Sequence, residues 1–188
     1  MAGGTSWYDG SDWRIWLPLM HTPGSHEPGS NPKAVGRLLV VATPLGNLGD
    51  LTDRIKKELA ACDLIACEDT RVTIGLLKHI GISKPMIAYH EHNEKEVAVE
   101  LADKISTGQV VALITDAGTP GISDPGFRVT RECRRRKLNV TPLPGPCAII
   151  ALLSASGLPT NAFRFVGFLP AKSAARRRFL EQSLQSDE

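Results

Sequence analysis

From Arg37 onward, apolar positions follow two rhythms. Short apolar runs with strand character fall at Leu38–Ala42, Leu64–Cys67, Met86–Tyr89, Val110–Thr115 and Val140–Leu143. The last is weakened by Pro142, which has no N–H to give a ladder. Between these runs the apolar residues recur at helical spacing. Leu51, Ile55 and Leu59 mark one face of a first helix. Residues 72–79 form a second, with Gly81 just past its end as a stop. Asn93 caps a third, with Glu96 at the third helical position and Val97, Leu101 and Ile105 on its buried face, and Gly108 closes it. Residues 125–137 form a fourth, for which Asp124 serves as cap and Pro125 as first helical residue. Pro146 leads a fifth helix that runs to Ser156. Phe163–Phe168 reads as a further strand, and the stretch from Arg176 to Glu188 as a final helix. Strands alternating with helices imply parallel βαβ units, so the pattern predicts an α/β fold.

Each strand is followed by a polar or glycine-rich loop. In an open parallel sheet such loops gather along one edge, at the carboxyl ends of the strands, where ligands bind. The richest runs from Asp116 to Gly126 (DAGTPGISDPG). It carries two carboxylates, and its glycines let backbone approach a bound molecule closely. Thr43–Asp50 (TPLGNLGD) follows the first strand, but has neither the spacing of a dinucleotide fingerprint nor the lysine of a phosphate-binding loop. A turn with Asp50 capping the next helix explains much of it. Glu68-Asp69-Thr70-Arg71 ends the second strand, and suits either a substrate hydroxyl or a plain ion pair with Arg71. Tyr89-His90-Glu91-His92-Asn93 follows the third. Two imidazoles at i, i+2 with no third ligand in view argue against a metal and for substrate contact or proton transfer. Leu143-Pro-Gly-Pro-Cys147 is a stiff turn, equally readable as a domain linker.

Composition adds limits. The chain has 188 residues, enough for one domain and the start of another, with 42% hydrophobic residues and a net charge of +2. No apolar run approaches the roughly 18 residues of a membrane span. Cys62, Cys67, Cys133 and Cys147 show no C-x-x-C pair and no metal-binding spacing with histidine, which points to reduced thiols, an intracellular setting and no zinc. Basic residues cluster at Arg131 and Arg134–Lys137 and again at Arg176–Arg178. Each cluster suits either a solvated helix face or contact with phosphates. Residues 1–36 are rich in Gly, Ser, Pro and Trp without any period. They read as a disordered or non-native tail rather than a signal or transit peptide.

Six motifs in this order, TPLGNLGD, CEDTR, YHEHNE, DAGTPGISDPG, PGPC and FVGFLPAK, resemble the small-subunit rRNA methyltransferase branch of the tetrapyrrole methylase superfamily. The resemblance runs from about Arg37 to about Glu181, and CEDTR and YHEHNE are what point to the rRNA branch. It implies an N-terminal parallel-sheet α/β domain of the class III methyltransferase type at 37–143. Residues 144–188 then begin a second α/β domain that this chain leaves incomplete, with S-adenosylmethionine in the cleft between the two. The implied activity is 2′-O-methylation of a cytidine in small-subunit rRNA. The implied partners are that RNA or the 30S subunit, the implied assembly a homodimer, and the implied setting cytoplasmic, without membrane or metal. Carried onto this chain, cofactor binding falls on Thr43, Pro44, Asp116, Ala117, Gly118, Pro120, Ser123 and Asp124, with Pro144, Gly145 and Pro146 at the domain junction. Cys147 stands where the pattern often has Ser or Ala.

A ribose hydroxyl is a weak nucleophile and benefits from a base. Glu68, Asp69, His90 and Glu91 are the candidates, with Asp69 and Glu91 preferred over the histidines and Arg71 steering phosphate. RNA binding through Arg134, Arg135 and Arg136 would be salt-sensitive. Two other readings remain at this point. One is a tetrapyrrole precursor methylase of the same fold. The other is an inactive fragment that only associates with RNA or with itself.

Overall fold

The computed structural model describes residues 35–184. The reading of a tail at 1–36 therefore lies outside the described residues, except for Val35 and Gly36. Five strands form one sheet: β1 (Arg37–Val41), β2 (Leu64–Cys67), β3 (Met86–Ala88), β4 (Val110–Ile114) and β5 (Asn139–Leu143). They are ordered β3-β2-β4-β1-β5, every pair parallel. The helices between them are α1 (Asp53–Ala61), α2 (Thr70–His79), α3 (Glu94–Ser106) and α4 (Phe127–Arg135). Beyond β5 lie α5 (Ala148–Ala155) and α6 (Ser173–Leu184).

Both faces of the sheet are covered, as a parallel sheet requires. Side chains alternate along each strand, and so do the two cores. Leu39, Val41, Ile65, Cys67, Ala112 and Ile114 pack with Ile55 and Leu59 of α1 and Leu76 and Leu77 of α2. Leu38, Ala66, Val111 and Leu113 pack with Leu101 and Ile105 of α3 and Val129 and Cys133 of α4. Right-handed crossovers produce this division. The chain moves one way across the sheet through α1 and α2, then back through α3 and α4 on the other face. Pro142 is tolerated because β5 is an edge strand.

Four local expectations change. α1 is capped by Thr52, whose side chain accepts from Ile55 N, and not by Asp50, which lies in the short turn Leu48–Asp50. α4 begins at Phe127, not at Pro125, because Gly121 N–H donates to Pro125 O at 3.2 Å and folds 121–125 into a turn. Its N-cap is Gly126, with φ 149. Asn93 does sit at the N-cap of α3, but its side chain turns back: Oδ1 accepts from His90 N and Nδ2 donates to Ala88 O, both at 2.9 Å. Phe163–Phe168 is not a strand. A strand needs a partner about 4.8 Å away, and none lies beside this segment among the described residues. Phe163, Phe165, Val166 and Phe168 are exposed instead.

Candidate functional site

β4 lies between β1 and β2, and its outgoing loop crosses to the α3/α4 face while those of both neighbours cross to the α1/α2 face. Such a reversal opens a crevice at the carboxyl ends of the strands. The loops predicted to bind a ligand meet there. Thr43 N–H donates to Gly118 O at 2.8 Å, and Gly118 N–H returns a bond to Thr43 O at 3.1 Å. The Thr43 hydroxyl donates to Thr115 O at 3.0 Å. Asp69 N–H donates to Asp116 Oδ1 at 3.3 Å, so the loop after β2 joins the same assembly. Gly145 packs against the end of β1, where a Cβ would stand 3.0 Å from that of Ala42. This brings the Pro144-Gly145-Pro146 turn beside Thr43 and Pro44. A Cβ on Gly167 would likewise stand 3.8 Å from Ser123 Oγ.

A cavity of about 240 Å³ opens in the crevice, lined by Thr43, Pro44, Gly46, Ile114, Thr115 and Asp116 from the sheet edge. Its far wall is Val72, Thr73, Gly75 and Leu76 of α2. Thr115 is 3% exposed, and its Oγ1 has no partner among the described residues. Buried hydroxyls are normally satisfied, so this atom marks a place for a ligand group. Ser123 adds local strain at φ 60, a left-handed conformation that is unusual for a residue with a Cβ. Ala117, Gly118, Pro120, Ser123 and Asp124 belong to the same loop but do not line the cavity, and neither do Pro144, Gly145 and Pro146.

The electrostatics are acidic. Burial and then the negative charge of Asp116 push the Glu68 carboxyl up, with Asp124 and Glu91 adding repulsion. Burial and Asp116 likewise raise Asp124. Asp69 behaves in the opposite way. Its carboxylate grips Arg71 through Nε at 3.1 Å and Nη2 at 2.7 Å, and caps α2 by accepting from Arg71 N at 2.8 Å. Arg71 thereby holds Asp69 down at about 2. The Arg71 side chain itself is 88% exposed. His90 lies edge-on to His92 with ring centroids 5.8 Å apart, and its buried Nδ1 has no partner among the described residues. Glu91 is exposed beside it.

The structure does not bring the basic cluster on α4 to this edge. α4 descends from the end of β4 to the start of β5, so Arg134, Arg135 and Arg136 sit at the opposite edge of the sheet. Arg135 pairs with Glu132, and Arg136 with both Glu132 and Asp103. Conversely, sequence reasoning missed Thr115 and the α2 wall. Gly75 was the available signal, since a glycine in a helix interior is unfavourable without a packing or functional reason. Among the described residues no group of three or more His, Cys, Asp or Glu is arranged to hold a metal ion, and no helix is long and apolar enough to cross a membrane.

Residues 37–187 match the family model of tetrapyrrole (corrin/porphyrin) methylases. A protein from Vibrio cholerae named ribosomal RNA small subunit methyltransferase I is 53% identical over 146 residues, covering 78% of this chain and 51% of that protein. Proteins of the same name from Haemophilus influenzae and Escherichia coli O157:H7 are 53% and 51% identical, and each is 54% covered. This chain thus spans about half the length of the curated relatives it matches. Among solved structures, a cobalt precorrin-4 methyltransferase superposes with a TM-score of 0.53 at 16% identity, covering 74% of this chain and 58% of that one. A uroporphyrin-III-C-methyltransferase from Thermus thermophilus gives 0.50 at 21% identity, covering 68% and 54%. These two likenesses concern the fold alone.

Proposed function

The chain belongs to the tetrapyrrole (corrin/porphyrin) methylase family, and on that premise we propose that it methylates the ribose 2′-hydroxyl of a cytidine in small-subunit rRNA, with S-adenosylmethionine as donor. The observation that carries the choice of RNA over a tetrapyrrole is the 51–53% identity to proteins named for small-subunit rRNA.

The residues of the crevice fit the cofactor. S-adenosylmethionine, when bound, supplies an electrophilic methyl group on a positively charged sulfur. Glu68 and Asp124 crowd negative charge around Asp116, which lines the cavity, and burial followed by the charge of Asp116 pushes both of their carboxyls up. A cationic ligand fits that field. The orphaned Thr115 hydroxyl offers a bond, and Leu48, Val72, Leu76 and Ile114 offer an apolar wall to a flat ring. Thr43 and Pro44 line the cavity, with Ala117, Gly118, Pro120, Ser123 and Asp124 further along the loop that Asp116 begins.

In-line transfer depends mostly on positioning. A base for the 2′-hydroxyl works best when its pKa rises toward neutrality. Glu68 has moved in that direction, whereas Asp69 is committed to Arg71 and to the α2 cap. We therefore place proton removal on Glu68, with Glu91 and His90 at the RNA side of the opening. Arg71, exposed on the first turn of α2, meets backbone phosphate. Residues 144–184 fit the opening of a second α/β domain, since α5 carries no buried residue. Action in the cytoplasm on the 30S subunit, as a homodimer, completes the reading.

The test supplies methyl-labelled S-adenosylmethionine to the protein of the whole reading frame, together with unmodified small subunits. Label on the 2′-oxygen of one cytidine supports the proposal. Label entering a tetrapyrrole precursor instead, or no calorimetric binding of the cofactor, overturns it.

A further inference from the structure

Tyr89 heads the fully buried side chains by size, with 0% of its surface exposed. It ends the β3 run, and its N–H donates to Cys67 O at 2.7 Å, which ties it to the end of β2. Its ring crosses beneath α3 and α4. There the hydroxyl accepts from Val129 N–H at 3.2 Å. Val129 is the third residue of α4, one of the first-turn amides that a helix leaves unpaired. A capping side chain normally serves such an amide. Here the N-cap is Gly126, which has no side chain to offer. No capping residue fits in its place, because a Cβ would stand 2.8 Å from Gly121 N, in a backbone region that disfavours side chains.

A tyrosine from a different loop therefore caps α4. The same hydroxyl donates to Glu94 Oε2 at 3.4 Å, and Glu94 Oε1 accepts from Arg128 Nε at 2.7 Å. The circuit Tyr89–Glu94–Arg128–Val129 closes over the first turns of α3 and α4. Those two turns terminate the His90–Asn93 loop and the Asp116–Gly126 loop. Burial keeps the phenol protonated, well above its ordinary range, so it serves as a fixed donor and acceptor.

We propose that Tyr89 is the positioning residue of the glycine loop: its hydroxyl substitutes for the missing cap of α4 and fixes Asp116–Gly126 against the His90–Asn93 loop in the form that receives ligand. Tyr89 touches no ligand itself. The cofactor measurements below rest on the functional reading above, whereas the exchange measurement does not.

The experiment compares the parent with Tyr89→Phe, which keeps the ring and removes the hydroxyl. Amide hydrogen exchange across 116–129 is expected to quicken about tenfold, the scale of one lost buried hydrogen bond, with α1 and α2 unchanged. The dissociation constant of S-adenosylmethionine is expected to rise by about the same factor, and KM for the cofactor to rise far more than kcat falls. Ile105→Val, in the same core layer at the far end of α3, is the control for lost stability alone and should leave both readouts in place. Unchanged exchange at 116–129 in Tyr89→Phe, or a rise matched by the control, overturns the proposal. If the parent binds no S-adenosylmethionine, the functional reading falls and the exchange result alone decides the role of Tyr89.

Discussion

Two adjacent carboxylates, Glu68 and Asp69, illustrate how position decides chemistry. They follow the same strand, yet one is pushed up by burial and by Asp116 and the other held at about 2 by Arg71. In methyl-transfer assays, Glu68→Gln is expected to lower kcat by about 10²- to 10⁴-fold, the range of a lost general base. Asp69→Asn keeps a capping oxygen and should cost far less; equal losses would return the base role to Asp69. Gly75 gives a second test at this scale. A Cβ there meets nothing within 4 Å, and the residue lines the cavity. Gly75→Ala should therefore stabilise the fold by about 0.5–1 kcal/mol in urea unfolding, through the gain in helix propensity. It should also weaken cofactor binding, because the methyl enters the cavity. A variant that gains stability and keeps full affinity would remove the α2 wall from the binding site.

α4 carries its own electrostatics. Arg135 and then Arg136 hold the Glu132 carboxylate at about 2. The folded value lies below the unfolded one, so the unfolded chain takes up the proton first as pH falls. The contribution is complete above the ordinary glutamate range and fades from there toward pH 2. Glu132→Gln should lower the melting temperature near neutrality and flatten its decline between about pH 5 and pH 2.5. The placement of this helix also separates two basic groups that look alike in sequence. Replacing Arg134, Arg135 and Arg136 with Ser should cost stability but leave the salt slope of rRNA binding nearly unchanged. Arg71→Ser should reduce that slope by about one phosphate contact. The reverse result would move the RNA surface to the opposite edge of the sheet.

At the scale of the molecule, the alternation of elements and the gathering of loops were legible because hydrophobic period reports burial directly. Leu38, Leu39, Val40 and Val41 are apolar in succession because both faces of β1 are covered, and that is visible in one dimension. Strand order was not legible. Nothing in Val110–Ile114 says that it lies between β1 and β2, and the position of the crevice follows from that order. Phe163–Phe168 looked like a strand because its residues favour extended backbone, but propensity does not supply a pairing partner. The cavity was half legible. Asp116 stood out as a carboxylate in a glycine-rich loop after a strand, and Thr43 and Pro44 through the family resemblance, whereas Val72 and Leu76 look like any helix face until α2 is seen beside the loop after β1. The role of Arg134–Arg136 was not legible for a related reason, since a run of charge does not reveal which end of the sheet it occupies.

The strand order also bears on how the chain comes together. Of the five described strands β1 is synthesised before the others, yet among them it pairs with β4 and β5, so Arg37 waits for Val110 and Asn139. As the polypeptide leaves the ribosome, β2 and β3 can join each other, while the apolar run Leu38–Val41 stays unpaired until Ile114 has emerged. Pairings this distant in sequence slow folding, to the order of milliseconds to seconds for domains rich in them. The strand that leads into Thr43, one wall of the crevice, is thus made before its partners and is among the last of the five to be secured. Slower translation through codons 42–110 would lengthen the interval in which this hydrophobic segment is available to chaperones or to a neighbouring nascent chain.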